Sequence, residues 1–225
     1  AKVTVSNVLK DAKIYYTTDG TEPTEQSQIY KEPIAVDKEC TVKALAVVDG
    51  LLPSRIGSCV VKQARSADNP AATKPGLVCK HYEGKWLKLP DFTKLKPTFS
   101  VISSDGFTFP ERSKKDYFAL TYTGFIDIPA DGSYTFYTKS DDGSQLYIGD
   151  RLVVDNDGAH GPIEKKGMIG LRAGKHAIGV HFFEARGGDS LEVNWAGPKF
   201  RKTLVRRGVL SHVPGEAGDA KPEPE

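Results

Sequence analysis

Apolar and polar residues alternate along much of the chain at a spacing of two, the mark of strands with one buried face. Phe118, Leu120, Tyr122, Ile126 and Ile128 share parity in a run that ends at Pro129. The alternation returns at Tyr134 and Phe136, at Leu146 and Ile148, at Ile178, Val180 and Phe182, and at Leu191, Val193 and Trp195. Turn signals break these runs at Ala130-Asp131-Gly132, Gly149-Asp150, Arg172-Ala173-Gly174 and Gly187-Gly188-Asp189. Together they predict an antiparallel sandwich or barrel of roughly 150 residues, with Trp195 in its core. The stretch from Trp86 to Lys115 holds Pro90, Pro97 and Pro110 and is predicted to wrap the sheet as an irregular loop.

Upstream the runs are shorter. Val3 to Val5, Ile14 to Thr18, Thr41 to Val48 and Ser58 to Lys62 read as strands of a small sandwich, marginal as an isolated fold. Residues 63–75, QARSADNPAATKP, carry two prolines and no large apolar side chain, which predicts an exposed connector. The expected organisation is a domain over 1–64, a linker over 65–75, a second domain over 76–212 and a disordered tail over 213–225. Gly and Pro number 22 and 14, which suits strands joined by tight turns and argues against a helical bundle.

Lys and Arg number 31 against 29 Asp and Glu, a net charge of +2, so no field of one sign draws in nucleic acid or an anionic membrane. The basic residues around Arg201 and Arg206 alternate with Phe200, Leu204 and Val205 and suit an edge strand protected from association. No apolar run reaches the roughly 18 residues of a membrane-spanning helix, and no signal-peptide pattern is present. The chain opens at Ala1, which reads as a mature product or an excised fragment. A hairpin turning at Asp49-Gly50 would set Cys40 and Cys59 nearly opposite each other, within reach of a disulfide, although directly opposed pairs are often strained. Cys79 reads as a small buried hydrophobe.

Two resemblances rest on longer motifs. Residues 14–24, IYYTTDGTEPT, with Ser27, Tyr30, the run Thr41 to Ala46 and Asp49-Gly50, resemble the C-terminal immunoglobulin-like domain of chitobiases and β-hexosaminidases. Gly132 to Phe136, then Ser140-Asp141-Asp142-Gly143-Ser144-Gln145-Leu146-Tyr147-Ile148-Gly149, resemble the PA-fourteen domain of glycosidases, adhesins and flocculins. Val153 to Asn156, His160, Gly174-Lys175-His176 and Phe183-Glu184 extend that likeness across about residues 76 to 198. The resemblance implies an all-β chain, a small immunoglobulin-like sandwich followed by a larger antiparallel β-sandwich or barrel. The order of the two modules, closing in Thr203 to His212, is similar to the C-terminal end of secreted β-N-acetylhexosaminidases of glycoside hydrolase family twenty. In these families the modules are accessory and carry no catalytic residue.

The chemistry agrees. Glycosidases need two carboxyl groups about 5 to 10 Å apart or, in hexosaminidases, an adjacent Asp-Glu beside the substrate acetamido group, and no Asp-Glu dipeptide occurs here. A G-x-S-x-G elbow, an H-E-x-x-H helix and a P-loop are also absent. Asp141 and Asp142 are the leading site candidates, as hard oxygen ligands suited to calcium if the backbone bends enough to aim both at one point. In the flocculin and adhesin relatives the matching Asp pair is joined by a cis peptide and chelates calcium, which holds sugar hydroxyls. Those relatives add an Asn from a later loop. Here that stretch is Arg186-Gly187-Gly188-Asp189, where Asp189 offers the oxygen. The alternative is that both carboxylates accept backbone N–H bonds in a turn without metal.

Asn156 and His160 are expected to order the neighbouring loop or to meet the sugar directly, and Glu184 and Arg186 to reach the same end of the domain. Tyr82, Trp86, Phe107 and Phe109 are candidate aromatic platforms, while His81, His176 and His181 receive no role. The resulting expectation is a non-catalytic carbohydrate-binding module of a secreted, periplasmic or cell-surface glycoside hydrolase, monomeric, with its catalytic domain upstream, and with or without calcium (Ca2+) at the Asp pair. The rival expectation is a structural spacer without a ligand.

Overall fold

The computed structural model describes residues 2–9, 11–111, 113, 115–215 and 221–222. The chain divides into two units, Ala1–Gln63 and Ala64–Glu225. Among the described residues more than half lie in strands, and the helical content is limited to single turns at Phe92–Lys94 and Arg207–Val209.

In the first unit β1 (Lys2–Val3) pairs with β4 (Ile34–Ala35), while β2 (Lys13–Thr17), β3 (Gln28–Ile29), β5 (Cys40–Val47) and β6 (Gly57–Val61) form a sheet in the order β3-β2-β5-β6. The two short strands β3 and β4 escaped the alternation because each spans two residues. Ile34, Val36 and Val42 form a small core, with Val3, Val5, Tyr16 and Tyr30 against it. Cys40 lies opposite Val61 and Cys59 opposite Val42, and both thiols are free. The hairpin therefore turns later than Asp49-Gly50 suggests, because the connection runs on through Pro53 and Ser54, which binds Ala46 twice. That shift leaves the cysteines diagonal to one another, a poor geometry for a disulfide.

The second unit is a sandwich of two antiparallel sheets. Its strands are β7 (Lys74–Pro75), β8 (Leu77–Glu83), β9 (Phe99–Ser103), β10 (Phe118–Ile128), β11 (Gly132–Asp141), β12 (Ser144–Ile148) and β13 (Arg151–Asn156). They continue with β14 (Ile163–Leu171), β15 (Gly174–Glu184), β16 (Ser190–Gly197), β17 (Phe200–Leu204), β18 (Leu210–His212) and β19 (Lys221–Pro222). One sheet runs β13-β12-β15-β10-β8-β9-β19, with β18 bridging β10 and β7; the other runs β14-β11-β16-β17. The β19 pairing with β9 is parallel. The tail expected to be disordered lies, beyond residue 215 and apart from β19, outside the described residues.

Parity explains the core. Phe118, Leu120, Tyr122, Leu146, Val180 and Phe182 face inward from the larger sheet, and Tyr134, Phe136, Val193 and Trp195 from the smaller, in one continuous cluster. Each such side chain withdraws enough apolar area from water to contribute about 1.5–3 kcal/mol. β9 falls inside the stretch expected to be wholly irregular; Phe99 and Val101 point into the same core.

Residues 65–75 are not a free connector. The Arg65 N–H donates to the Gly170 carbonyl at 2.8 Å, and the Asp68 N–H to the Lys175 carbonyl at 2.8 Å. Asp68 accepts both guanidinium nitrogens of Arg65 at 2.8 Å and the Ala177 amide at 2.7 Å. The Asn69 side chain accepts the Lys175 amide at 2.9 Å. Arg65 also donates to His176 Nδ1 at 3.0 Å, which leaves Nε2 as the donor to the Arg172 carbonyl at 2.7 Å. Polar composition suggested solvent here, but the polar groups are paired with backbone edges that would otherwise be bare.

On the outer face of the larger sheet His181 packs against the rings of Phe92 and Tyr147, and burial lowers its pKa to about 4. The unfolded chain takes its proton near pH 6.5, so stability declines as pH falls from 6.5 to 4, by at most roughly 3 kcal/mol. Urea denaturation midpoints across that range will fall less steeply in His181→Gln than in the parent chain.

Candidate functional site

Two strand ends and the turn between strands meet at one end of the second unit. β11 delivers Asp141, the next residue is Asp142, and β15 ends on Glu184. A straight strand would send neighbouring carboxylates to opposite faces. Here the Asp141–Asp142 peptide is cis, the linkage implied by the family resemblance, and one carboxylate oxygen from each of Asp141, Asp142 and Glu184 lies within 4.8 Å of the others.

The loops are fastened to this group. Asp142 is buried, and its carboxylate accepts the His160 amide at 2.8 Å and the Ala185 amide at 2.8 Å, one on each oxygen. The His160 ring sits between the Asn156 and Gly161 carbonyls, at 3.0 and 2.8 Å. A methyl group at Gly143 would stand 2.6 Å from the Phe183 ring and 2.8 Å from the backbone of Gly158, so only glycine lets the turn and the 157–160 loop close together. Gly143→Ala will destabilise the chain by about 1–3 kcal/mol in urea denaturation and displace the His160 amide resonance in an NMR spectrum.

Glu184 is fully buried, and neither of its carboxylate oxygens makes a hydrogen bond. Burial first, then repulsion from Asp142 and Asp141, pushes its pKa up to about 8; the Asp142 amide pulls the other way but stands outside hydrogen-bond geometry. Burial likewise raises the pKa of Asp141, reinforced by Asp142 and Asp189 and opposed by His160. Glu184 and Asp141, both resisting ionisation, form with the neighbouring Asp142 a site with an electrostatic deficit. All their donors are oxygens, which suits a hard divalent cation.

The other expected residues are placed differently. Asp189 is exposed and does not join the three-carboxylate group, although its charge reaches Asp141 and Glu184. Glu184, expected as a sugar contact, lies within this group as its third carboxylate. Asn156 is fully buried and donates to Ser140 Oγ and the Ile163 carbonyl at 3.1 and 3.0 Å, so it orders the loop from beneath. Its inward parity on β13 is the reason. Arg186 is exposed on the loop after Glu184, with its guanidinium against the Tyr117 ring.

Of the expected aromatic platforms two are buried and two half-buried. Tyr82 and Phe107 are buried, Phe109 stacks against the core, and Trp86 packs beside the Tyr82, Ala119 and Phe183 cluster. Tyr117 was not anticipated. The Lys-Lys-Asp-Tyr context carries no periodic signal, and only its backbone, at φ +61°, and its two cationic neighbours mark it.

A two-sheet sandwich with a paired-aspartate end, preceded by a small immunoglobulin-like unit, defines a class of modular β proteins. The PA14 domain family model matches residues 73–206, and the chain belongs to that family. Residues 1–58 match the chitobiase/beta-hexosaminidase C-terminal domain. Among curated proteins the chain is similar to Anti-sigma-I factor RsgI3 of Acetivibrio thermocellus, 25% identical over 140 residues, which is 61% of this chain and 21% of that protein. The chain thus spans about a fifth of that relative's length. Among solved structures it is similar to an anti-sigma factor domain-containing protein from Clostridium clariflavum, at 22% identity and a TM-score of 0.52, covering 76% of this chain and 60% of that one. A PA14 sugar-binding domain from an RTX adhesin aligns at 17% identity and a TM-score of 0.51, over 62% of this chain and 99% of the domain.

Proposed function

We propose that the chain is a non-catalytic carbohydrate-binding module of a longer protein, holding glycan at the Asp141–Asp142 end of its second unit with the help of calcium. The observation that carries this reading is the buried Glu184 carboxylate, bare of hydrogen bonds and aimed with Asp141 and Asp142 at one point. A buried carboxyl group without a partner is destabilising whether it ionises or keeps its proton, and a divalent cation that takes the proton's place removes the deficit. When bound, calcium supplies a fixed positive charge and open coordination positions for neighbouring sugar hydroxyls. The protein's own part is to hold the ligands: Asp142 through His160 and Ala185, and Asp141 through β11. The sugar-binding RTX adhesin domain of the same fold supports the ligand class.

A weak site of this kind acts by proximity, because tethering raises the local concentration of glycan around the rest of the protein. For that larger protein we infer a glycoside hydrolase of the β-N-acetylhexosaminidase kind, working in a secreted, periplasmic or cell-surface setting; the match over residues 1–58 supports it. A second parent, a regulator that senses glycan, is favoured by the anti-sigma-I relative. Assay of the natural full-length protein on a chromogenic N-acetylglucosaminide separates them: turnover supports the enzyme, and its absence the regulator. For the module itself, chelator-stripped protein should release or absorb heat on titration with calcium and then retain glycans from an array. No heat and no retained glycan would leave a structural spacer.

A further inference from the structure

Tyr117 is a point of convergence. Its N–H donates to the Ala185 carbonyl at 3.3 Å, and its carbonyl accepts the Gly84 amide at 3.1 Å. The residues following those two partners, Arg186 and Lys85, both lay their cations against the Tyr117 ring, the guanidinium carbon at 5.2 Å and the ammonium nitrogen at 4.9 Å from its centroid. The same Ala185 gives its amide to Asp142, so one backbone residue connects Tyr117 to the three-carboxylate group. Tyr117 adopts φ +61°, a left-handed backbone that a bulky aromatic residue rarely takes and that tends to mark functional positions.

The charge balance around the ring is unusual. Among the described residues neither Lys85 nor Arg186 has a carboxylate partner, and both are exposed. Asp116, the nearest acid in sequence, is engaged by the Gly187 amide at 3.2 Å. A guanidinium held against an aromatic ring keeps its N–H fork free to take an oxyanion, and an ammonium beside it adds a second charge. The site thus has an acidic centre suited to a cation and a basic shoulder on the loop that wraps it.

We infer that Lys85, Tyr117 and Arg186 form an anion subsite, so that the glycan held at Asp141–Asp142 is an acidic saccharide bearing a carboxylate or sulfate group. This rests on the glycan reading above and narrows it. The sugar ring lies at the carboxylate group, and its anionic substituent pairs with Arg186 and Lys85 across the Ala185 backbone. Because both cations are exposed, the preference weakens with added salt.

The test uses the full 225-residue chain with calcium on an array that pairs neutral oligosaccharides with their uronate, sialylated and sulfated counterparts, followed by calorimetry on the best pair. The acidic member should bind on the order of tenfold tighter than the neutral one at low salt. In the double variant Lys85→Gln plus Arg186→Gln that ratio should fall to near one, while affinity for the neutral sugar is kept. A preference confined to the carboxylated or to the sulfated arm supports the subsite and says which oxyanion it takes. Equal binding of neutral and acidic members, or a preference that survives in the double variant, overturns the subsite and leaves the glycan reading standing. Retention of no saccharide, neutral or acidic, overturns the glycan reading and the subsite with it.

Discussion

Calcium binding will vanish when Asp141 and Asp142 are both replaced by alanine. The expected result is a clear calorimetric isotherm for the chelator-stripped parent and none for Asp141→Ala plus Asp142→Ala, with affinity lowered at least about a hundredfold, since two of three carboxylate ligands are gone. Asp142 also fastens the His160 and Ala185 amides, so the variant loses two charge-assisted hydrogen bonds and, with them, about 2–4 kcal/mol of stability. A second variant, Asp141→Asn alone, separates the effects: it leaves those hydrogen bonds intact, and its affinity should still fall by more than tenfold. An undiminished isotherm in the double variant would show that the metal, if bound at all, sits elsewhere.

Glu184 carries the second large effect, and its sign depends on the metal. In chelator its bare carboxyl group opposes folding, so Glu184→Met, of similar volume, should raise the stability of the metal-free chain by about 1–3 kcal/mol. In calcium the order should reverse. The parent gains stability by mass action, about 2.7 kcal/mol at a calcium concentration one hundred times the Kd, and the variant gains little. Thermal unfolding of both chains, with and without calcium, measures the crossing. Stabilities that never cross would mean that Glu184 faces no ion.

Much of the second unit was legible because alternation survives wherever one face of a strand is buried. The inward set Phe118, Leu120 and Tyr122 and the burial of Trp195 follow from parity alone. Strands of two residues, such as Gln28–Ile29 and Ile34–Ala35, are too short to alternate and were invisible. The hairpin carrying Cys40 and Cys59 was misread by the length of its loop, which no local turn signal fixes.

At the site, the paired aspartates stood out as a motif. The third carboxylate was assigned a different task, because its role depends on β15 ending beside β11, a relation between residues 43 positions apart. Likewise two of the expected aromatic platforms, Tyr82 and Phe107, gave way to burial. Tyr82 and Trp86 found an apolar partner in Phe183 on the outer face of the sheet, where alternation predicts solvent. Tyr117 was missed for the opposite reason: its neighbours Lys85 and Arg186 come from two distant loops, and nothing near it in the chain announces them.

The strap formed by Arg65, Asp68 and Asn69 bears on how such a module travels between proteins. The family match begins at residue 73, but the backbone N–H groups and side chains that close the edges at Gly170, Lys175 and Ala177 lie upstream of it. A cassette cut at the edge of the recognisable motif would leave those edges bare and lose the bidentate Arg65–Asp68 pair beside His176. The transferable part therefore starts at Ala64, and in any recombined protein the joint must fall before it.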